Sequence, residues 1–374
     1  MILLSDIFRE HGPAYLARFG DRMLSSHRRA LVDITACRTP AMGGRLVLCD
    51  DCERWHYVYH SCRNRACAQC RTAGAAQWVE DRANELVPGV YFHVIFTLPS
   101  ELRSIARQHQ KAVLCALMQT AVSALQTLAA EPRFASGRLA ILAVLHTWSR
   151  ALVWHPHLHC LVPAVSVASD RTWRRIHDRF LVPVKALSSV FRARFVKRLR
   201  ATLPGVRIPQ KIWQKDWVSF ARFCPEGPGN VLRYLARYVF GGPMRGRRIL
   251  GMDGDRYVLQ YRDRDAGCLR TVRLTPTELI RRYLQHTPPP GFHRIRYYGW
   301  WAPSARRTLR TVQLQLAPGL GARAAEIASA LCPAQEHPEP RCPHCGSSRL
   351  RLVARWHRGQ NPPDYQSIRA PPAL

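Results

Sequence analysis

The chain has 374 residues, 47% of them hydrophobic, which is enough for one large core or two modest ones and too much for a peptide-sized binding module. Its 56 Lys and Arg against 25 Asp and Glu leave a formal charge of +31, so a polyanion is the first partner to consider and a hydrolase of small substrates is disfavoured. No extended apolar segment opens the chain and no bilayer-spanning run is expected, so the reading is a cytoplasmic, nucleoid-associated protein with no membrane partner.

Thirteen cysteines in such a setting read as metal ligands and buried thiols rather than disulfides, because the cytosol keeps thiols reduced. Residues 49–70 are dense in Cys, His, Arg and aromatic side chains, with too few aliphatic ones for a core, so the segment needs a metal to fold. The run 90–98 (VYFHVIFTL) then reads as a strand that Pro99 ends, and 101–128 carries a helical apolar pattern in Leu102, Ile105, Val113, Leu114 and Leu117. Two further strands, 139–148 and 157–165, are spaced as an antiparallel pair. Helices are expected over 190–203 and 231–240, the second closed by Gly241, Gly242 and Pro243. The order of elements gives an α+β fold. Beyond Pro290 the chain turns basic and aromatic, and from Cys332 it is Pro-rich and reads as largely flexible.

Cys49-x-x-Cys52 and Cys67-x-x-Cys70 are separated by 14 residues, close to the paired-knuckle spacing of a tetrahedral Zn2+ site, and these four are the expected ligands. Cys37 and Cys62, with His27, His56 and His60 nearby, either supply a second site or pack beside the first. Cys342-x-x-Cys345 is half a site that Cys332, His337 or His357 would have to complete.

His155-Pro-His157-Leu-His159 opens a strand, where alternate side chains share a face, so His157 and His159 reach one metal from the same side. Sixteen histidines in 374 positions give about 0.7 such His-x-His pairs by chance, so the company of the pair decides its meaning. His146, on the strand expected to pair with it, is the candidate third ligand. The ion would be divalent, Mg2+ or Mn2+, and imidazoles favour manganese or zinc over magnesium. Tyr234 and Tyr238 stand four apart in a helical segment, so both hydroxyls reach one site, with Arg237 or Arg233 on hand to clamp a phosphate.

In this order the pieces resemble the HUH nucleases of rolling-circle replication and conjugation. More closely they resemble the two-tyrosine transposases of bacterial insertion sequences, insertion-sequence family ninety-one. The likeness runs through His27-Arg-Arg-Ala-Leu, Cys37-Arg-Thr, Gly43-Gly44, the cysteines, Phe96-Thr-Leu-Pro, His146-Thr-Trp, His155-Pro-His-Leu-His, Tyr234-Leu-Ala-Arg-Tyr238 and the stretch 291–299. Ala66 and Ala68 stand where the family usually has His and Pro. The resemblance implies a zinc-ribbon-like module in front of an HUH domain with a central antiparallel sheet flanked by helices. It also implies cutting one strand of single-stranded DNA at an element's end, a 5′-phosphotyrosine link, and transfer to target DNA. The expected division is 1–85 zinc- and DNA-binding, 86–250 nuclease, 251–330 a basic DNA-contacting region and 331–374 a flexible tail. A zinc-dependent DNA-binding protein without chemistry explains charge and cysteines too, and leaves the ordered His and Tyr pairs to coincidence.

Overall fold

The structure is a computed structural model that describes residues 2–70, 75–170, 172–177, 179–214, 216–217, 219–224, 243–244, 248–263, 266–316 and 341–364. Helices α1 (Leu4–Phe19) and α2 (Ser25–Ala36) open the chain and bury Leu4, Ile7 and Phe8 against Ala30, Leu31 and Ile34, the three-and-four spacing of one apolar helix stripe on each. A hairpin of β1 (Gly44–Cys49) and β2 (Trp55–Tyr59) follows, then α3 (Ala75–Ala83) and β3 (Tyr91–Thr97). The helical pattern expected over 101–128 is divided at His109 (φ −120, ψ 49) into α4 (Arg103–Gln108) and α5 (Gln110–Ala129). Next come β4 (Arg138–Leu139), β5 (Ile141–Trp148), β6 (Trp154–Pro163), β7 (Val165–Val167), β8 (Trp173–Arg175), α6 (Val184–Thr202) and β9 (Ser219–Cys224). The helix expected over 231–240 lies outside the described residues. The chain continues with β10 (Ile249–Asp253), β11 (Arg256–Arg262), β12 (Leu269–Leu274), α7 (Pro276–Leu284), β13 (Ile295–Tyr298), α8 (Arg306–Leu316) and β14 (Leu350–Trp356). The mixture of helices and antiparallel sheets agrees with the α+β expectation.

The central sheet runs β13-β5-β6-β3-β9, with every neighbouring pair antiparallel. Because side chains alternate along a strand, Phe92, Val94 and Phe96, Ile141, Ala143 and Leu145, and Leu158, Cys160 and Val162 all project to one face. There they join α5 and α6 in the main core, through Leu114, Leu117, Leu187, Phe191 and Phe195. Burying each such side chain contributes about 1.5–3 kcal/mol, enough to fix the register of the sheet. Among the described residues α5 is the one helix long and apolar enough to cross a bilayer, a run the sequence reading did not expect. Its apolar residues are those of a core helix covered by the sheet. The intervening positions Tyr91, Leu142, Val144 and Leu161 face the other way, onto Leu86, Val87, Trp300, Trp301, Leu309 and Val312.

Two features depart from the expected division of the chain. The strands β10 to β12 and helix α7 pack Tyr257, Leu259, Leu279, Ile280 and Tyr283 into the core of α1 and α2, so residues 249–284 complete the N-terminal module. Helix α7 starts cleanly, with Thr275 Oγ1 accepting the Glu278 N–H at 3.3 Å and Pro276 in the first turn. Within the expected tail, β14 pairs antiparallel along the whole of β1, making the sheet β14-β1-β2.

Gly299 shows how tightly the central sheet is joined to its second layer. Its φ is +66, and a Cβ there would overlap the Leu139 carbonyl oxygen, whose residue the Gln126 side chain also brackets with bonds of 2.9 and 3.0 Å. Gly299→Ala is therefore expected to lower stability by about 3 kcal/mol or more, read as a clear fall in melting temperature, whereas Gly291→Ala, with open space beyond, should cost less.

Candidate metal centres

His146, His157 and His159 reach one spot because of strand register. His146 of β5 lies directly opposite His157 of β6, and Val144 opposite His159, so all three imidazoles stand on the sheet face turned away from α5 and α6. One nitrogen from each lies within 4.8 Å of the others. The ring centroids are 4.2 Å apart for His146 and His159, 4.9 Å for His157 and His159, and 5.2 Å for His146 and His157.

Two hydrogen bonds orient the set. His157 Nδ1 donates to the His155 carbonyl at 2.7 Å, which leaves the lone pair on Nε2. His159 Nδ1 lies 2.7 Å from Nε2 of His93, on β3, which fixes the orientation of its ring. Sequence reasoning missed His93. Only the pairing of Ile95 with His159 brings it near, and no local pattern marks it.

Burial pushes His157 and His93 down to about 4, and it holds His146 well below the usual histidine range, with the neighbouring His159 and His157 adding to the effect. His93, His146 and His157 are consequently neutral at pH 7, the form that binds metal. Among the described residues the clustered donors are three imidazoles without a carboxylate, a set that suits Mn2+ or Zn2+ better than Mg2+. Cations surround them. Arg294 acts on His146, Arg222 stands opposite His93 in the strand register, and Arg103 reaches the His155 ring at 3.5 Å. A phosphate would meet favourable charge here. Tyr234, Tyr238, Arg237 and Arg233 lie outside the described residues, in the segment that follows β9.

The cysteines sort differently from the expectation. Cys49, Cys52, Cys67 and Cys70 are not brought together. Instead Cys37, Cys62, Cys67 and Cys70 form one cluster, and Cys49 and Cys52 meet Cys342 and Cys345 in another. The physical reason is that β2 carries the chain away from the knuckle at Cys49, while Cys37, at the end of α2, meets the loop that holds Cys62, Cys67 and Cys70. Four sulfurs bound tetrahedrally to zinc at about 2.3 Å must lie about 3.8 Å apart. In the first cluster Cys37 to Cys70 is 3.5 Å, Cys62 to Cys70 is 3.6 Å and Cys67 to Cys37 is 3.8 Å, so the residues fit the ion. The Cys62 and Cys67 thiols pull Cys37 down to about 2, while Cys62 and Cys67 are themselves pushed up, chiefly by their bonds to Cys37. One thiolate is thus stabilised ahead of the rest.

A basic chain with thiolate clusters fitted to zinc and buried histidines converging on one sheet face defines a zinc-binding protein suited to DNA, and the comparisons agree. Residues 7–98 match the family model described as "Transposase zinc-binding domain", and residues 140–308 match the one described as "Putative transposase". The chain is 36% identical over 317 residues to "Putative transposase y4qJ" of Sinorhizobium fredii (strain NBRC 101917 / NGR234), covering 79% of each. It is 26% identical over 292 residues to "Transposase for insertion sequence element IS801" of Pseudomonas savastanoi pv. phaseolicola, covering 71% of this chain and 68% of that one. No solved structure matches it with significance. The chain belongs to the IS91 family of insertion-sequence transposases, with the family's N-terminal zinc-binding domain.

Proposed function

We propose that this transposase nicks single-stranded DNA at an insertion-sequence end through a tyrosine nucleophile, with the central sheet acting as an HUH-type nuclease. The observation that carries the reading is the convergence of His146, His157 and His159 on one face, with His146 and His157 neutral, in a protein of charge +31. One ring nitrogen of each would hold a divalent ion, Mg2+ or Mn2+, with Mn2+ the better match to imidazoles. When bound, the ion supplies Lewis acidity to the scissile phosphate and fixes its orientation.

The chain's own groups do the rest. Tyr234 follows Cys224, the last residue of β9, by ten positions, and Tyr238 by fourteen, and in this reading both return to the sheet. The phenol oxygen attacks phosphorus in line as the bond to the 3′-oxygen breaks. The phenolic proton passes to that oxygen, leaving a 3′-hydroxyl and a 5′-phosphotyrosine. Arg237 neutralises charge growing on the phosphate, with Arg233 as the alternative clamp. The phosphoester bond is conserved in the link, so a 3′-hydroxyl of target DNA can reverse the step and complete strand transfer.

Zinc bound by Cys37, Cys62, Cys67 and Cys70 would stiffen the 1–85 region, which would grip DNA beside the cut, with basic residues of 251–330 extending that surface. Incubated with a single-stranded oligonucleotide carrying the element's end and Mn2+, the protein is expected to yield a covalent adduct on a denaturing gel. Chelation of the divalent ion should abolish it. Sequence-specific binding of that oligonucleotide with no adduct under any divalent ion would instead establish the non-catalytic DNA-binding reading.

A further inference from the structure

The second cysteine cluster joins residues about 290 positions apart, and neither matched family model reaches its C-terminal half, since they span 7–98 and 140–308. Its two halves have one construction. In the first, the Cys49 N–H donates to the Arg54 carbonyl at 3.0 Å, Glu53 has φ +52, and the Arg54 N–H points at the Cys52 sulfur. In the second, the Cys342 N–H donates to the Ser347 carbonyl at 2.8 Å, Gly346 has φ +77, and the Ser347 N–H points at the Cys345 sulfur. Each is a tight turn that aims two sulfurs and backbone N–H groups at one point, the construction that stabilises thiolates on a cation. The halves face one another, with Cys49 to Cys345 and Cys52 to Cys342 both at 3.6 Å, close to the roughly 3.8 Å of a tetrahedral zinc and far beyond a disulfide bond. His56 Nε2 lies 3.1 Å from the Cys342 sulfur and can donate to it.

The surroundings are built for this junction. A Cβ on Gly43 or on Gly44 would stand 2.6 Å from Trp356, so both glycines are needed for β14 to lie on β1. The Trp356 indole packs edge-on against Tyr57 and Tyr59 and donates to the Pro40 carbonyl at 3.3 Å. Asp50 and Asp51, between the first pair of cysteines, bond Arg351 and Arg349, and the buried Asp33 bonds Arg358 at 3.2 Å.

We propose that Cys49, Cys52, Cys342 and Cys345 bind a second structural zinc, completing a zinc ribbon assembled from both ends of the chain and fastening residues 341–364 onto the N-terminal module. Free thiols at four converging positions on a short three-stranded sheet would leave the small ribbon without a core of its own, and the ion supplies the cross-link.

Cobalt substitution of the full-length protein tests this, because sulfur-to-cobalt charge-transfer absorption counts thiolate sites and ignores the histidine centre. The wild-type protein is expected to saturate that band at two equivalents, and Cys342→Ser, Cys345→Ser at one, with half the intensity. Saturation of the wild-type band at one equivalent overturns the proposal whether or not the variant folds, as does native protein that carries iron at the site in place of zinc. Amide exchange of Leu352 and Ala354 is expected to quicken at least tenfold in the double variant. Protection equal to that of the wild type would mean that the metal does not fasten the strand.

Discussion

His157→Ala is expected to slow nicking by about a thousandfold, a loss of about 4 kcal/mol of transition-state stabilisation. His157 presents Nε2 because its Nδ1–H is tied to the backbone of its own strand, so in the proposed centre removing the ring would delete an aimed ligand rather than a mobile one. Loss of a group that only orients a metal ligand typically costs ten- to a hundredfold, and loss of a ligand itself should cost more. His155→Ala is the matched control. The bond that fixes His157 uses the His155 carbonyl, which alanine keeps, so nicking should change less than tenfold. His93→Gln should fall between the two, since His93 reaches the Nδ1 side of the His159 ring. Calorimetric titration with Mn2+ checks that each loss tracks binding of the ion. Full nicking in His146→Ala alongside an inactive His157→Ala would remove His146 from the site, and a fully active His157→Ala would overturn the centre altogether.

What the sequence made legible was local. Strand period brought His157 and His159 to one face, and the nearness in sequence of β5 and β6 made their pairing, and with it the placing of His146 opposite His157, a short-range inference. The strand at 90–98 and the helix at 190–203 were readable for the same reason, each carrying its own apolar pattern. Contacts made across the length of the chain were not readable. The regular spacing of two Cys-x-x-Cys pairs suggested one site, yet each pair found its partners elsewhere, and the pairing of β1 with β14 leaves no trace in spacing. Its one local sign is steric: Gly43 and Gly44 in succession mark where another backbone must approach. The break at His109 within an unbroken apolar pattern, and the packing of residues 249–284 onto α1 and α2, are likewise tertiary outcomes.

The double variant Tyr234→Phe, Tyr238→Phe is expected to form no covalent adduct with DNA while still binding it. Each substitution removes a single oxygen, so packing and charge are almost unchanged and the loss reports on chemistry. A phenol with pKa near 10 is only about one part in a thousand ionised at pH 7, and ionising it fully costs about 4 kcal/mol. The attack is therefore feasible where the phosphate is polarised and the growing charge is met by cations, as the arginines bordering the histidine centre provide. Two tyrosines allow two 5′-phosphate ends to be held in succession, so each single Phe variant should lose strand transfer. First-strand nicking should survive only in the variant that keeps the tyrosine attacking first. Gel analysis of adducts with labelled single-stranded element ends reads all three variants. Should the double variant still carry labelled DNA through denaturation at the wild-type level, the nucleophile is another residue and the two-tyrosine mechanism does not describe this chain.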